Sequence, residues 1–156
     1  MAGDGSDDRL VPVRHAEACL RNPRELLRTA RVIAVVGLSP NPDRPSNQVA
    51  WYLHHQGYRL YGVRPAAAGS DIFGVPVVAS LDEVPEPIDV VDVFRRAPDT
   101  PDVARAAVAV GARALWLQLG IANAETRAIA EAGGLVYVED RCLKVEHLRL
   151  LGARTG

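Results

Sequence analysis

The sequence predicts an α/β fold: a doubly wound, mainly parallel sheet with helices on both faces. Three observations carry this. Val32-Ile33-Ala34-Val35-Val36-Gly37 and Ile88-Asp89-Val90-Val91-Asp92-Val93-Phe94 are runs rich in β-branched residues, as expected of strands covered on both sides. Segments with apolar residues at helical spacing alternate with such runs. The connections between them are short, which suits right-handed crossovers between parallel neighbours.

In chain order, Met1 to Arg9 reads as a flexible polar leader and residues 10–156 as a single domain. His15 to Thr29 has a helical pattern, broken around Asn22-Pro23 because proline cannot continue a helix. The strand from Val32 follows. Pro45 and Ser46 then open a helix that Gly57 closes, with Val49, Tyr52, Leu53 and Gln56 down one side. Tyr58 to Val63 is the next strand, and Phe73 to Val78 holds a short third. The strand Ile88–Phe94 is entered through the turn residues Pro85-Glu86-Pro87. Thr100 is suited to cap a helix with Pro101 in its first position. Val103, Ala106, Ala107 and Val110 form its apolar stripe, and Gly111 ends it. Ala114 to Leu117 is a strand, Asn123 caps a helix that stops at Gly133-Gly134, Leu135 to Val138 is the last strand, and Asp140 caps a final helix through Leu151.

Composition narrows the function. The chain has 156 residues, a formal net charge of -1, 48% hydrophobic and 5% aromatic residues. That hydrophobic share excludes a mainly disordered chain, and the length suffices for one buried core. Near-neutral charge and scarce aromatics argue against a nucleic-acid partner. No apolar run approaches the roughly 20 residues of a membrane span, and the acidic start lacks a signal pattern. Cys19 and Cys142 are too few for a disulfide framework. A soluble, cytoplasmic protein is the expectation, with a homodimer left open.

In open α/β sheets, ligands bind beyond the carboxyl ends of the strands, where the winding reverses. Gly37 to Ser46, Val63-Arg64-Pro65, Phe94 to Pro98 and Gln118 to Asn123 should therefore converge, with Glu139 to Cys142 joining from the last strand. The first of these segments leads into a helix N-terminus, a position suited to phosphate. Gly37 permits a tight turn, Ser39 and Ser46 offer hydroxyls, and Arg44 offers a charged fork. The competing reading is a proline-rigid turn with an exposed arginine. Only the first glycine of the dinucleotide fingerprint is present. Val63-Arg64-Pro65 has a cation where NAD-binding folds place a carboxylate, which favours a ribose-phosphate nucleotide such as NADP or coenzyme A. Arg64 is equally read as a solvated arginine. Arg95 and Arg96 either flank a pyrophosphate or pair with Asp92 or Asp99. Gln118 and Gly120 are placed to line the pocket, whereas Trp116 and His147 read as structural. Cys142, beside Arg141 near a helix start, is either a reactive thiol or an ordinary buried cysteine. Asp89 and Asp92 alternate across the strand and form no acid/base pair.

Several of these segments carry a resemblance. Ile33-Ala34-Val35-Val36-Gly37 with Ser39, Asp43-Arg44-Pro45-Ser46, Tyr52-Leu53 with Gly57-Tyr58, Ile88 to Arg95, Trp116 to Gly120 and Asp140 to His147, in this order, resemble the stand-alone CoA-binding proteins. These are a small Rossmann-like family related to the CoA-binding domain of the succinyl-CoA synthetase alpha subunit. The resemblance runs from about Arg24 to Gly152. It implies a domain that binds coenzyme A or an acyl-CoA. By that analogy the loop from Gly37 through Leu38, Ser39, Arg44 and Pro45 to Ser46 holds the phosphates. Val63 and Pro65 line the adenosine side, and Phe94, Arg95, Gln118 and Gly120 the far side. Cys142 falls where the synthetase domain brings a cysteine segment towards the CoA thiol. The chain departs from the family at Arg64, where asparagine is common, and at Ala66-Ala67-Ala68, where the synthetase type often has lysine. It also lacks a phosphorylatable histidine loop and an ATP-grasp portion, so a non-catalytic binding or sensing module is expected, not an acyl-CoA ligase. The alternatives are an NADP-linked oxidoreductase and a thiol protein forming a mixed disulfide with CoA through Cys142.

Overall fold

A computed structural model describes residues 22–153. The leader, Cys19 and residues 15–21 of the expected leading helix lie outside the described residues.

Helix α1 spans Pro23–Thr29, with the Asn22 side chain accepting from the Glu25 N–H at its start. Strand β1 (Val32–Val36) is buried at every position. Helix α2 (Pro45–His55) follows the long loop and buries Val49, Ala50 and Leu53. Strands β2 (Arg59–Val63), β3 (Asp71–Ile72), β4 (Val75–Val78) and β5 (Val90–Val93) come next. Then follow α3 (Thr100–Ala109), β6 (Ala114–Leu117), α4 (Ala124–Ala132), β7 (Val136–Val138) and α5 (Leu143–Leu151).

The seven strands form one sheet in the order β3-β4-β2-β1-β5-β6-β7. Every pairing is parallel except β3 with β4. From β1 the chain winds outward through β2 to the β3–β4 hairpin, then returns to β5 on the other side of β1 and winds away to β7. The reversal lies between β1 and β5. Alternation along the strands feeds two cores. Ile33, Val35, Val90 and Trp116 pack under α1, α2 and α5 through Leu26, Leu53 and Leu143. Ala34, Val91, Val93 and Leu115 pack under α3 and α4 through Ala104, Ala107 and Ala130. The predicted α/β doubly wound sheet is thus the observed one.

Three local expectations change. The short strand expected within Phe73–Val78 is β4, but it starts only at Val75: Phe73 and Gly74 form the turn of the β3–β4 hairpin, with φ of 39° and 88°. Such a turn needs positive φ at both central residues, and phenylalanine gives no sequence signal for it. Thr100 is the first helical residue of α3 and Asp99 its cap; the Thr100 hydroxyl instead donates to the Ala97 carbonyl at 2.8 Å. Asp140 does not cap the last helix. Cys142 occupies the cap position of α5, and the Asp140 carboxylate accepts from the Gly120 N–H at 2.7 Å, tying the β6 loop to the β7 loop.

Candidate functional site

The carboxyl ends of β1, β2, β5, β6 and β7 open onto a cavity of about 840 Å³. Gly37 makes this floor possible. It leaves β1 at φ 89°, and a Cβ there would sit 2.6 Å from the Phe94 carbonyl oxygen. Only a residue without a side chain lets the β1 and β5 loops come so close. Gly37 N–H donates to the Val63 carbonyl and Phe94 N–H to the Val36 carbonyl, both at 2.9 Å. Three strand ends are thereby locked side by side.

The loop from Gly37 to Ser46 forms one wall. The Ser46 hydroxyl oxygen accepts from the Ser39 N–H at 2.9 Å, and the Ser39 hydroxyl oxygen accepts from the Asn41 N–H at 3.1 Å. Asn47 donates its amide to the Ser39 carbonyl at 2.9 Å. This knits the loop onto the first turn of α2. Many backbone donors are thereby used internally: Asp43 N–H goes to the Asn41 side chain, Arg44 N–H to the Asn41 carbonyl, and Asn47 and Gln48 N–H to the Arg44 carbonyl. Pro45, the first residue of α2, has no N–H. The loop and the first turn of α2 therefore keep few backbone donors free.

Arg44, Arg64, Arg95, Arg96 and Lys144 all line the cavity, and no carboxylate among the described residues does. Arg95 and Arg96 each stand 3.8 Å from the same Asp99 carboxylate oxygen, too far for a hydrogen bond. Their side chains remain 46% and 82% exposed, so that pairing leaves both free to turn to a ligand. Asp92 is not their partner, because it is buried in the sheet.

The opposite wall comes from β6 and α5. Gln118 is buried, and its side-chain oxygen accepts from the Leu143 N–H at 3.0 Å, fixing the start of α5. Trp116 is fully buried and donates its indole N–H to the Arg141 carbonyl at 2.8 Å, as its core reading requires. Cys142, half-buried with a free thiol, sits on this wall. His147 faces away from it. Its Nδ1 is 2.7 Å from the Tyr52 hydroxyl, and burial pushes its pKa down.

The cavity gathers most of the residues singled out from sequence: Gly37, Ser39, Arg44, Pro45 and Ser46, then Arg64, Phe94, Arg95 and Arg96, and finally Gln118 and Cys142. Leu38, Val63, Pro65 and Gly120 are not on its wall. Leu38 and Val63 point into the cores, Pro65 is exposed in a 3₁₀ turn, and Gly120 shapes the β6 loop. The wall also contains Leu119 and Ile121, from the segment Gln118–Asn123 expected to converge here, and Gln48, Val49 and Lys144, which the sequence does not single out for the site. Lys144 had a signal, lying two residues past Cys142 on the same helix start.

No helix among the described residues is long and apolar enough to cross a membrane. The chain is 38% identical over 124 residues to the uncharacterized protein YneT of Bacillus subtilis, covering 80% of this chain and 90% of that protein. A Thermus thermophilus structure superposes with a TM-score of 0.81 at 39% identity, over 85% of this chain and 98% of that one. A hypothetical protein from Pyrococcus horikoshii does so with a TM-score of 0.81 at 36% identity, over 85% and 92%. Residues 31–148, from the start of β1 into α5, match the sequence pattern of the CoA binding domain. That stretch contains the whole sheet and every residue on the cavity wall, and the chain belongs to the CoA-binding domain family.

Proposed function

We propose that the cavity binds coenzyme A or an acyl-CoA and that the protein acts as a non-catalytic binding or sensing module. The observation that carries this is the ring of five cations without a carboxylate around one cavity at the winding reversal. Coenzyme A carries a diphosphate and a ribose phosphate, and guanidinium forks match such groups. The phosphates face Arg44, Arg64, Arg95 and Arg96, and the pantetheine arm runs towards Gln118 and Cys142. A thermal-shift screen with CoA, acetyl-CoA, NADP and NAD tests the reading. CoA and acetyl-CoA are expected to raise the melting temperature and the nicotinamide nucleotides to leave it unchanged. Stabilisation by NADP alone would support an oxidoreductase and overturn the proposal. Arg44→Ala should weaken CoA binding by about tenfold or more, in line with loss of a charge-assisted contact. Unchanged affinity in calorimetry removes Arg44 from the site.

A second reading rests on the position of Cys142 in that wall. Its thiolate can attack CoA disulfide, forming a protein–CoA disulfide and releasing one CoA thiolate. Intact mass after incubation with CoA disulfide should show a single CoA-sized adduct, absent in Cys142→Ser. An adduct that survives the substitution would move the chemistry elsewhere.

A further inference from the structure

A second cavity of about 720 Å³ lies beside the first, and Gln48 and Lys144 line both. Its character is different. Pro40, Pro42, Trp51 and Phe73 supply most of its apolar wall. Trp51 is 51% exposed, an unusual amount of indole to leave in water. It meets Phe73 edge-on, with ring centroids 5.2 Å apart at 84°. The chain accepts strain to place that second ring. Phe73 has φ 39° in a hairpin turn, where asparagine or glycine is the unstrained choice. The turn is pinned by the Asp71 carboxylate, which accepts from the Gly74 N–H at 3.1 Å. Lys144, at the junction of the two cavities, holds its ammonium over the Tyr52 ring, 5.6 Å from the centroid.

We infer that this aromatic groove is the acyl subsite of the CoA cavity and that it takes an uncharged apolar acyl group, aryl or medium-chain. The inference rests on the CoA reading above. In that reading the thiol end lies near Cys142, and Lys144, two residues further on, opens into the groove. Polarity sets the direction of the ligand. The arginines are on the first cavity's wall, whereas the groove contains the Asp71 carboxylate. Lys144 is the groove's one cation among the described residues, shared with the first cavity and held over the Tyr52 ring, so beside Asp71 no further cation is left in the groove for a phosphate or a carboxylate-bearing acyl group. A neutral hydrocarbon is the group that gains from covering Trp51 and Phe73.

Calorimetry with CoA, benzoyl-CoA, hexanoyl-CoA and succinyl-CoA tests this on the full chain. Benzoyl-CoA and hexanoyl-CoA are expected to bind about tenfold tighter than CoA, consistent with a few methylenes or one ring leaving water. Succinyl-CoA is expected to bind no tighter than CoA. Trp51→Ala, and separately Phe73→Gly, which relieves the positive φ, should erase the advantage and leave CoA affinity unchanged. If CoA binds and neither apolar acyl group improves on it, the subsite is wrong while the CoA reading stands. If both variants lose CoA and acyl-CoA alike, the groove holds part of CoA itself and the inference fails. If no CoA species binds the wild-type protein, the CoA reading falls and takes the subsite with it.

Discussion

Gly37→Ala is expected to destabilise the protein by roughly 2–4 kcal/mol and to abolish ligand binding with it. Two costs add. The backbone at φ 89° disfavours any residue with a Cβ. The new methyl would also lie 2.6 Å from the Phe94 carbonyl oxygen and 3.3 Å from its carbon. The obstacle is backbone, not the end of a flexible side chain, so relief requires β1 and β5 to separate. Their ends are fixed by the ladder from Ile33–Val90 to Val36–Val93, which makes such movement expensive. The cavity floor moves with them, carrying Phe94 and the adjacent Arg95. At roughly 3 °C per kcal/mol for a chain of this size, the melting temperature should fall by about 6–12 °C. Gly120→Ala is the control. It has φ 85° but no atom within 4 Å of the added carbon, so it bears only the conformational cost. Equal losses in the two variants, measured by thermal denaturation, would show that the close approach to Phe94 contributes nothing.

What the amino acids reveal in advance follows from how local each cause is. The runs at β1, β5 and β6 announce buried parallel strands because nearly all their residues are apolar, Asp89 and Asp92 of the β5 run excepted, whatever the order of the sheet. That order then places Gly37, Arg44, Arg64, Arg95 and Gln118 together, since the end of a strand is legible from its own residues. Leu38 was the exception within the loop. Sequence position put it at the phosphate, but its side chain turns under β2, where a Cβ on Gly62 would be 2.8 Å from it. The Phe73-Gly74 turn was hidden because its strain is tolerated for a contact with Trp51 that lies on another element. Lys144 depended on the true start of α5. A helix read as starting from Asp140 puts Lys144 inside the helix, whereas the cap at Cys142 puts it in the first turn, facing the loop of β1.

Asp92 should make the protein lose stability as pH rises. It sits mid-strand in β5, in register with Val35 on one side and Trp116 on the other, and is fully buried. Neither carboxylate oxygen has a hydrogen-bond partner among the described residues. Burial pushes its pKa well above the ordinary carboxylate range. In the unfolded chain the same group releases its proton in the ordinary range. Below that range both states hold the proton and the contribution is complete. As pH rises, the unfolded state ionises first, so folding is penalised progressively until the raised folded pKa is passed. Asp92→Asn keeps the shape without the titration. Its urea midpoint should therefore fall less than that of the wild type between about pH 4 and pH 8. Asp92→Val goes further, because it removes a buried polar group that nothing satisfies. It is expected to stabilise by roughly 1–3 kcal/mol at neutral pH, reduced by whatever strain the bulkier branched side chain brings beside Trp116. Parallel stability curves for wild type and Asp92→Asn would mean that the carboxyl titrates alike in both states, and the burial argument would be wrong. A carboxyl kept in this core has a cost that the rest of the sheet must offset. The strand that bears it continues directly into Phe94, Arg95 and Arg96, so calorimetry on Asp92→Val with CoA also reads whether that cost supports the site or only the fold.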